Sequence, residues 1–431
     1  MAEANVPVRR RTFTVPFGRD GALVFAATMA ANAGAYALHF VASRRLGAVE
    51  YGDLYALITA ITLLAILTTS ATLMVAKTSA GLTAAEHRPL LAAFVRWVMT
   101  RAAVVGLIVT VASLLGMQFV IRFLHVSQPA AVAVWAVVLG ASVLVPALSG
   151  ILQGVQDFTA FAYVTVAGGV GRAVLGIAAV LLGFGATGVL VANVGALAIA
   201  AAIAIVALRH DLALEGERFR PNAHFRWGSA GTIVATVCST ALAAIDVLLA
   251  KHFLTPYDAG IYSVDALCGK MLLFAAGFIP ALLVPKVASA LAAGRSGDHY
   301  LRDALALTLT FCLAGLAIFA VAPGLVVRTL AGSAYSAAAP NLLGYGIAMT
   351  LLAATNVIIS YKIAAHRFAF VAPLVVVVLC EVGAMSVWHR DIPQILIILI
   401  ASNAAALLAS LWGLGVRWGS RDALGKRAEA R

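Results

Sequence analysis

The sequence predicts an all-α, polytopic membrane protein with twelve transmembrane helices in two six-helix lobes. Three observations support this prediction: the composition, twelve long apolar stretches, and an internal repeat with an offset of about 208 residues. Of the 431 residues, 62% are hydrophobic and 11% are charged, whereas an ordinary soluble domain carries about 25% charged residues. A chain with so few charges cannot form a water-exposed surface, which excludes a soluble enzyme and a nucleic-acid-binding domain.

The apolar stretches fit the thickness of a membrane, because a bilayer core of about 30 Å requires roughly 20 apolar residues in a helix. The predicted organisation is a cytoplasmic N-terminus at 1–20, an N-terminal six-helix lobe at 21–208, a cytoplasmic inter-lobe linker at 209–228, a C-terminal six-helix lobe at 229–415 and a cytoplasmic C-terminus at 416–431. The predicted spans are 21–42, 54–76, 102–121, 130–152, 159–183, 188–208, 229–250, 262–284, 304–322, 341–360, 368–388 and 393–415.

The distribution of Lys and Arg predicts the orientation of the spans. With the N-terminus in the cytoplasm, the cytoplasmic segments contain 22 of the 30 basic residues and the external loops contain 6. Because basic residues are enriched on the cytoplasmic side of membrane proteins, both termini are predicted to lie there. The net charge of +12 then reflects basic loops that face anionic lipid. We therefore expect membrane lipids, and no nucleic acid, as partners.

The two halves of the chain share a short repeated pattern. Residues 42–52 read ASRRLGAVEYG and residues 250–260 read AKHFLTPYDAG, so both have Ala, Leu, an acidic residue and Gly at matching positions. Farther along, residues 157–161 resemble residues 367–370. Since each half has an even number of spans, both halves enter the membrane from the same side and are related by a pseudo-twofold axis along the membrane normal. This architecture predicts a site between the lobes and alternating access by rocking.

Residues 42–52 also resemble the SR-x-LG-x-x-EYG signature of bacterial polysaccharide flippases, the O-antigen and capsule repeat-unit exporters of the multidrug/oligosaccharidyl-lipid/polysaccharide (MOP) superfamily. Residues 153–158 (QGVQDF) and 246–262 (DVLLAKHFLTPYDAGIY) are similar to further motifs of that family. The resemblance implies a V-shaped, MATE-like pair of lobes. It also implies a transporter, not an enzyme, that moves an undecaprenyl-pyrophosphate-linked oligosaccharide from the inner to the outer leaflet of the bacterial cytoplasmic (inner) membrane.

The same resemblance sets the expected partners. They are the lipid-linked oligosaccharide as substrate, membrane lipids, and other polysaccharide-assembly proteins, with the transporter itself expected to be a monomer. No cofactor is expected, apart from a coupling Na⁺ or H⁺.

Basic residues within or next to the spans are the candidates for substrate binding. A charge in the middle of a bilayer costs at least about 2.5–3.5 kcal/mol on insertion scales, so it needs a partner or a water-filled cavity. A pyrophosphate headgroup cannot cross this region unpaired, and arginine can hold phosphate oxygens through two parallel hydrogen bonds. We therefore predict a polar cavity between the lobes. The predicted substrate-binding residues are Arg172, Lys270, Arg44, Arg45 and Lys251.

Three acidic residues in the spans, Asp246, Asp265 and Glu381, are candidates for ion coupling or for ion pairs. Arg172 and Glu381 lie 209 residues apart, so one hypothesis is an inter-lobe ion pair that opens and closes during transport. Asp265 and Lys270 are expected to neutralise either each other or partners on neighbouring helices. No residue is predicted to be catalytic, and the His and Cys residues lack the spacing of metal ligands.

Other functions fit the pattern less well. A cation-coupled multidrug exporter of the same superfamily is expected to carry an acidic residue in its first span, where this chain has Asn32 and His39. A membrane-embedded polysaccharide polymerase or glycosyltransferase needs room for catalytic residues, whereas the longest external loop here is about 323–340. A major-facilitator transporter shares the six-plus-six organisation but not the motifs around Gly52 and Gly260. The flippase is the favoured prediction.

Overall fold

The computed structural model describes residues 19–84, 88–209, 212, 219, 230–292 and 295–412. Within these residues the regular structure is helical throughout and contains no β-strand. Helices are expected because the bilayer interior offers no water to the main chain, so each spanning segment must satisfy its own N–H and C=O groups. The all-α prediction is confirmed.

The helices of the two halves follow the same general order. The first half contains α1 (Arg19–Ala84), α2 (Arg88–Leu115), α3 (Met117–Leu124), α4 (Pro129–Gly154), α5 (Phe158–Val166), a π-helical turn (Ala167–Gly171), α6 (Arg172–Leu181) and α7 (Gly185–Ala207). The second half contains α8 (Ala230–Phe253), α9 (Pro256–Ala276), α10 (Phe278–Ala292), α11 (Asp298–Val321), α12 (Pro323–Leu330), a 3-10 turn (Ser333–Ala338), α13 (Leu342–Ala364), α14 (Val371–Val387) and α15 (Ile392–Leu411).

Ten stretches of helix in the described residues are long and apolar enough to cross a membrane, and α14 is a shorter apolar helix. The first stretch, Asp20–Leu64 within α1, covers the first predicted span and about half of the second. Helix α1 continues past a break at Gly47, where φ is 73° and ψ is 171°, and so contains both predicted spans. Only glycine adopts such a conformation readily. Counting α1 as two spans and adding α14 accounts for the twelve predicted spans, and the chain is a multi-pass membrane protein.

Several helices extend beyond the spans that hydropathy predicts. The span predicted from residue 102 belongs to α2, which already begins at Arg88. Its early turns are held by buried Phe94 and Val95, whose side chains pack in an apolar cluster with α4 and α7. The predicted terminal segments (1–20 and 416–431) and linker (209–228) lie mostly outside the described residues. The domain boundaries therefore stay a prediction.

The backbone conformation, like the sequence, repeats between the two halves. Gln156 and His366, which are 210 residues apart, both have positive φ values of 64° and 53°, and each lies in the turn that follows the fourth span of its half. The short helices α3 and α12 also begin 206 residues apart and have eight residues each. With twelve spans, the start of α1 and the end of α15 lie on the same side of the membrane. We call the opposite side, which carries α3 and α12, the distal side.

The lobes meet at a pair of glycines in equivalent positions of the repeat. A Cβ atom on Gly52 would lie 3.1 Å from the Cα atom of Gly260, and a Cβ atom on Gly260 would overlap the main chain of Ala48. Equivalent residues that touch each other must lie beside the pseudo-twofold axis. The glycines of the repeated pattern are therefore explained by the close crossing of α1 and α9, since any side chain would force these helices apart.

Candidate functional site

A buried carboxylate, Asp246 on α8, organises the polar centre of the second lobe. Its side chain is fully buried and accepts hydrogen bonds from the hydroxyl groups of Tyr262, at 2.8 Å, and Tyr345, at 2.6 Å. Its second oxygen lies 4.0 Å from the ammonium nitrogen of Lys270. Lys270 is thus neutralised by a residue on a neighbouring helix, which is one of the two predicted alternatives, rather than by Asp265.

Lys270 also connects this centre to the first lobe. Its side chain is 8% exposed, and its ammonium nitrogen lies 5.8 Å from the ring centroid of Tyr55, on the second part of α1. A cation over an aromatic face is attracted to the electron-rich ring. Lys270 therefore lies where the two lobes meet, and its role in substrate binding stays a prediction.

Two further carboxyl groups are buried near this centre. Asp265 and Glu381 are both 0% exposed, and none of their four carboxyl oxygens is in hydrogen-bond geometry with a described residue. The side chain of Asn341 interacts with Asp265, and Asp246 acts electrostatically on Glu381. Because an isolated buried carboxylate is very costly, these groups require a proton, a cation or water.

Arg172 lies on the first-lobe side of the centre, at the start of α6. Its Nε atom is buried and has no hydrogen-bond partner among the described residues, and its charge acts on His39 of α1. The π-helical turn Ala167–Gly171 directly precedes it, and such turns are frequent at functional sites. A Cβ atom on Gly169 would overlap Ala31, so the glycine-rich segment brings α1 and this turn into close contact.

An aromatic cluster on α1 adjoins both Arg172 and Lys270. The Nδ1 atom of His39 lies 3.3 Å from the hydroxyl of Tyr51, and its ring makes an edge contact with Tyr55 at 5.4 Å between centroids. The hydroxyl of Tyr36 is buried without a hydrogen-bond partner in the described structure. Arg172 and Glu381 form no ion pair in this conformation, because the salt bridges between described residues involve other partners.

The remaining predicted cations lie at the distal ends of the lobes. The ammonium group of Lys251 lies 2.5 Å from a carboxylate oxygen of Asp53, with both side chains 2% exposed. The other oxygen of Asp53 accepts hydrogen bonds from the main-chain N–H and the hydroxyl of Ser127. Lys251 and Asp53 belong to different halves, so this buried pair joins the lobes.

Arg44 makes a second set of contacts between the lobes, and both Arg44 and its neighbour Arg45 are exposed. The guanidinium group of Arg44 donates to the carbonyl oxygens of Arg328, Thr329 and Leu330. Nearby, the hydroxyl of Tyr335 donates to the carbonyl oxygen of Ser43 at 3.0 Å. Burial raises the pKa of the Tyr335 phenol, so it remains a protonated donor. A substrate contact for Arg44, Arg45 or Lys251 remains a prediction.

An apolar cavity of about 300 Å³ lies between α1, α6, α9 and the end of α12. It is next to the aromatic cluster, with which it shares Tyr36. Its wall is otherwise formed by the side chains of Ala37, Phe40, Val41, Ile177, Leu267, Met271 and Leu330. An apolar space of this kind suits a hydrocarbon chain rather than a polar group.

Three solved structures share the fold. The chain is similar to the inward-facing conformation of a multidrug resistance MATE family transporter of the MOP superfamily, with 14% identity, a TM-score of 0.76 and coverage of 91% of this chain and 97% of that one. An outward-facing conformation of a multidrug resistance MATE family transporter has 16% identity and a TM-score of 0.58, with coverage of 91% of this chain and 94% of that one. The lipid II flippase MurJ in its inward closed conformation has 11% identity and a TM-score of 0.67, with coverage of 91% of this chain and 86% of that one.

The chain thus has the fold of the MATE transporters and of MurJ, with a charged centre where its two lobes meet. None of the curated protein sequences matches the chain significantly. Residues 41–340 match the family described as polysaccharide biosynthesis protein. The chain belongs to this family, and the resemblance to polysaccharide flippases is confirmed.

Proposed function

We propose that this transporter moves an undecaprenyl-pyrophosphate-linked oligosaccharide across the bacterial cytoplasmic membrane by alternating access. The observation that supports this substrate best is that two cations adjoin the aromatic cluster where the lobes meet: Arg172 acts on His39, and Lys270 lies next to Tyr55. The MATE and MurJ structures support the fold, and membership of the polysaccharide biosynthesis family supports a saccharide-bearing cargo.

Arg172 and Lys270 provide the charge that a pyrophosphate needs. The Nε atom of Arg172 has no protein partner in the described structure, so its guanidinium can bind phosphate oxygens without first breaking an ion pair. Lys270 lies at the limit of ion-pair distance from Asp246 and can share its charge with a second anion. In this proposal Arg44, Arg45 and Lys251 meet the headgroup later, after the contacts between the distal ends have opened.

The apolar cavity beside Tyr36 provides a route for the lipid tail. It lies between α1 and α9, which come from different lobes, and its walls are almost entirely apolar. A polyprenyl chain that occupied it would remain in a hydrocarbon environment while the headgroup passed between the lobes. This division of the substrate avoids transferring either part into an unfavourable medium.

Asp246, Asp265 and Glu381 are the proposed coupling residues. Asp246 lies near the Lys270 ammonium group, whereas Asp265 and Glu381 form no ion pair among the described residues. Binding of Na⁺ or H⁺ here would offset the excess negative charge. The ion would change how stably the second lobe packs around α8 and α14. Ion binding and lobe movement are then linked, because each state favours a different occupancy.

The proposed orientation places the distal side outside the cytoplasmic membrane and both termini in the cytoplasm, as the distribution of basic residues favours. The cross-lobe contacts of Arg44 and Lys251 then close the external side. An inward-facing state is also supported by the greater similarity to the inward-facing than to the outward-facing MATE transporter. We propose that the transporter acts as a monomer beside other polysaccharide-assembly proteins.

The direct test is flipping of a fluorescent undecaprenyl-pyrophosphate saccharide in proteoliposomes. Arg172→Ala should slow flipping at least about ten-fold, because a charged hydrogen-bonded contact is worth roughly 1.5–3 kcal/mol. Arg302→Ala is the matched control, since Arg302 is exposed on α11 away from the inter-lobe centre. Unchanged flipping by Arg172→Ala at equal protein levels would refute the assignment of this residue.

A multidrug exporter is the second candidate. The Asp265 and Glu381 carboxyl groups, which form no ion pair among the described residues, favour it because they suit a cationic drug. Efflux of ethidium by the reconstituted protein, together with failure to flip the lipid-linked saccharide, would establish this alternative. Flipping without ethidium efflux would exclude it.

A further inference from the structure

Two basic residues at equivalent positions of the repeat each reach across to the opposite lobe. Arg44 and His252 are 208 residues apart, the offset that relates residues 42–52 to residues 250–260. Both lie at the distal side, and both end at main-chain carbonyl oxygens of a short helix in the other half. The contact is therefore made twice, once in each direction.

The contact from the first lobe is made by Arg44. Its guanidinium binds three successive carbonyl oxygens, those of Arg328, Thr329 and Leu330, at 2.6–3.2 Å. These are the last three residues of α12 (Pro323–Leu330). The group lies 3.6 Å from the ring centroid of Phe40, which fixes its position over its own helix before it crosses to the other lobe.

The contact from the second lobe is made by His252. Its Nδ1 atom lies 2.6 Å from the carbonyl oxygen of Phe123, and because a carbonyl only accepts, Nδ1 is the donor. Phe123 is in the last turn of α3 (Met117–Leu124). The imidazole ring also stacks on the rings of Phe123, at 4.2 Å, and His125, at 5.6 Å between centroids.

The two targets are chemically the same. The last carbonyl groups of a helix have no partner within the helix, and they carry the partial negative charge of the helix dipole. α3 is followed by His125 with φ 49°, and α12 is followed shortly by Gly332 with φ 106°, so in each case the chain turns away and leaves the carbonyls accessible. Donors from the opposite lobe satisfy them.

We propose that Arg44 and His252 are paired latches that hold the distal gate closed and release it when the lobes rock apart. This role goes beyond the transport function proposed above and does not depend on the identity of the cargo. Any movement that separates the distal ends must break both contacts. The released carbonyls gain water in exchange, so each latch opens reversibly instead of locking the gate.

The latches differ in strength, which makes the proposal specific. Arg44 binds three carbonyls and His252 binds one, so loss of Arg44 should favour the open gate more than loss of His252. The two contacts are on different short helices. Their effects should therefore multiply in the double variant, as expected for independent sites.

The test measures the distance between spin labels on the distal ends of the two lobes. Labels at Leu182→Cys and Val387→Cys use exposed positions at the ends of α6 and α14, in a Cys380→Ser background in which the other three cysteines are buried. Double electron–electron resonance in lipid nanodiscs then gives the ratio of long to short distances. Arg44→Met should raise this ratio about two- to five-fold, the range for one cation at a helix C-terminus, and His252→Phe should raise it less.

Two matched variants serve as controls. Arg328→Met removes an exposed arginine at the same place but keeps the carbonyl that Arg44 binds. His389→Phe replaces a histidine that follows α14 and whose Nδ1 contacts Met385 of that helix, within the same lobe. Both should leave the distances unchanged. If Arg44→Met is poorly folded, Arg44→Lys and His252→Phe give the same test. The proposal would be overturned if the Arg44 and His252 variants gave the same distances as wild type. It would also be overturned if Arg328→Met changed the distances as much as the Arg44 variant does.

Discussion

The ion pair between Lys251 and Asp53 provides the most demanding test of how the distal gate closes. Both side chains are 2% exposed, so solvent does not screen the pair. Lys251→Met leaves Asp53 buried with only the two hydrogen bonds from Ser127. Removing one partner of a buried pair costs about 3–5 kcal/mol, and this cost falls on the closed state, because opening returns Asp53 to water.

The expected size of the effect follows from this cost. A penalty of about 3 kcal/mol corresponds to a roughly hundred-fold change in the ratio of closed to open molecules. Lys251→Met should therefore move most molecules to the open gate. This change is measured as a rise in the ratio of long to short distances between labels at Leu182 and Val387. The double variant Asp53→Asn with Lys251→Met should recover most of the closed population, because a neutral pair has no unpaired charge to bury.

The comparison of single and double variants decides the outcome. Lys286→Met, which replaces an exposed lysine on α10, should leave the distances unchanged. If Lys251→Met and the double variant shift the ratio equally, the charge of Asp53 is not what opens the gate. The electrostatic reasoning for this pair would then be wrong.

Three further predictions concern the lobe crossing and the polar centre. Gly260→Ala should depopulate the closed gate in the same distance measurement, because its Cβ would overlap the main chain of Ala48. Tyr345→Phe removes a hydrogen bond to Asp246 worth roughly 1.5–3 kcal/mol, and flipping in proteoliposomes should slow about ten-fold. Glu381→Gln should leave flipping insensitive to an imposed Na⁺ or H⁺ gradient, which is measured by varying the buffer across the liposome membrane.

Each of these predictions has a matched control. Gly383→Ala adds a methyl group where there is open space, Tyr163→Phe alters an exposed tyrosine on α5, and Asp303→Asn neutralises an exposed carboxylate. A closed gate in Gly260→Ala would contradict the packing argument. Normal flipping in Tyr345→Phe, or an intact gradient response in Glu381→Gln, would show that these groups do not serve the proposed centre.

The fold class could be predicted from sequence because its cause is local. Each span must be long and apolar because it has to cross the hydrocarbon core of the membrane. Hydropathy therefore locates it without knowledge of its neighbours. The repeated glycine pattern also carried information, since Gly52 and Gly260 touch in the structure. The eight-residue helices α3 and α12 were not predicted as separate helices. The predicted span 102–121 runs into α3, and α12 lies in the predicted external loop, because hydropathy over so few residues does not locate a helix boundary.

The partners of the charged residues could not be predicted, because they depend on how distant segments pack. Nothing near Lys251 in the sequence identifies Asp53 as its partner. Asp246 was singled out as a buried charge, but its tyrosine donors come from α9 and α13. The signal for Tyr262 and Tyr345 in the sequence is a tyrosine hydroxyl within an apolar span, which needs a hydrogen-bond partner. Hydropathy counts a tyrosine as nearly neutral, so it does not reveal this need.

The contact between Gly52 and Gly260 bears on how such a chain can arise by duplication. In a symmetrical ancestor made of two identical halves, the residue at this point would face its own copy across the axis. Any side chain would then collide with an identical one, and no change in a single position could relieve the collision. Glycine avoids this self-encounter, which makes it compatible both with a dimer of identical chains and with the fused, diverged protein.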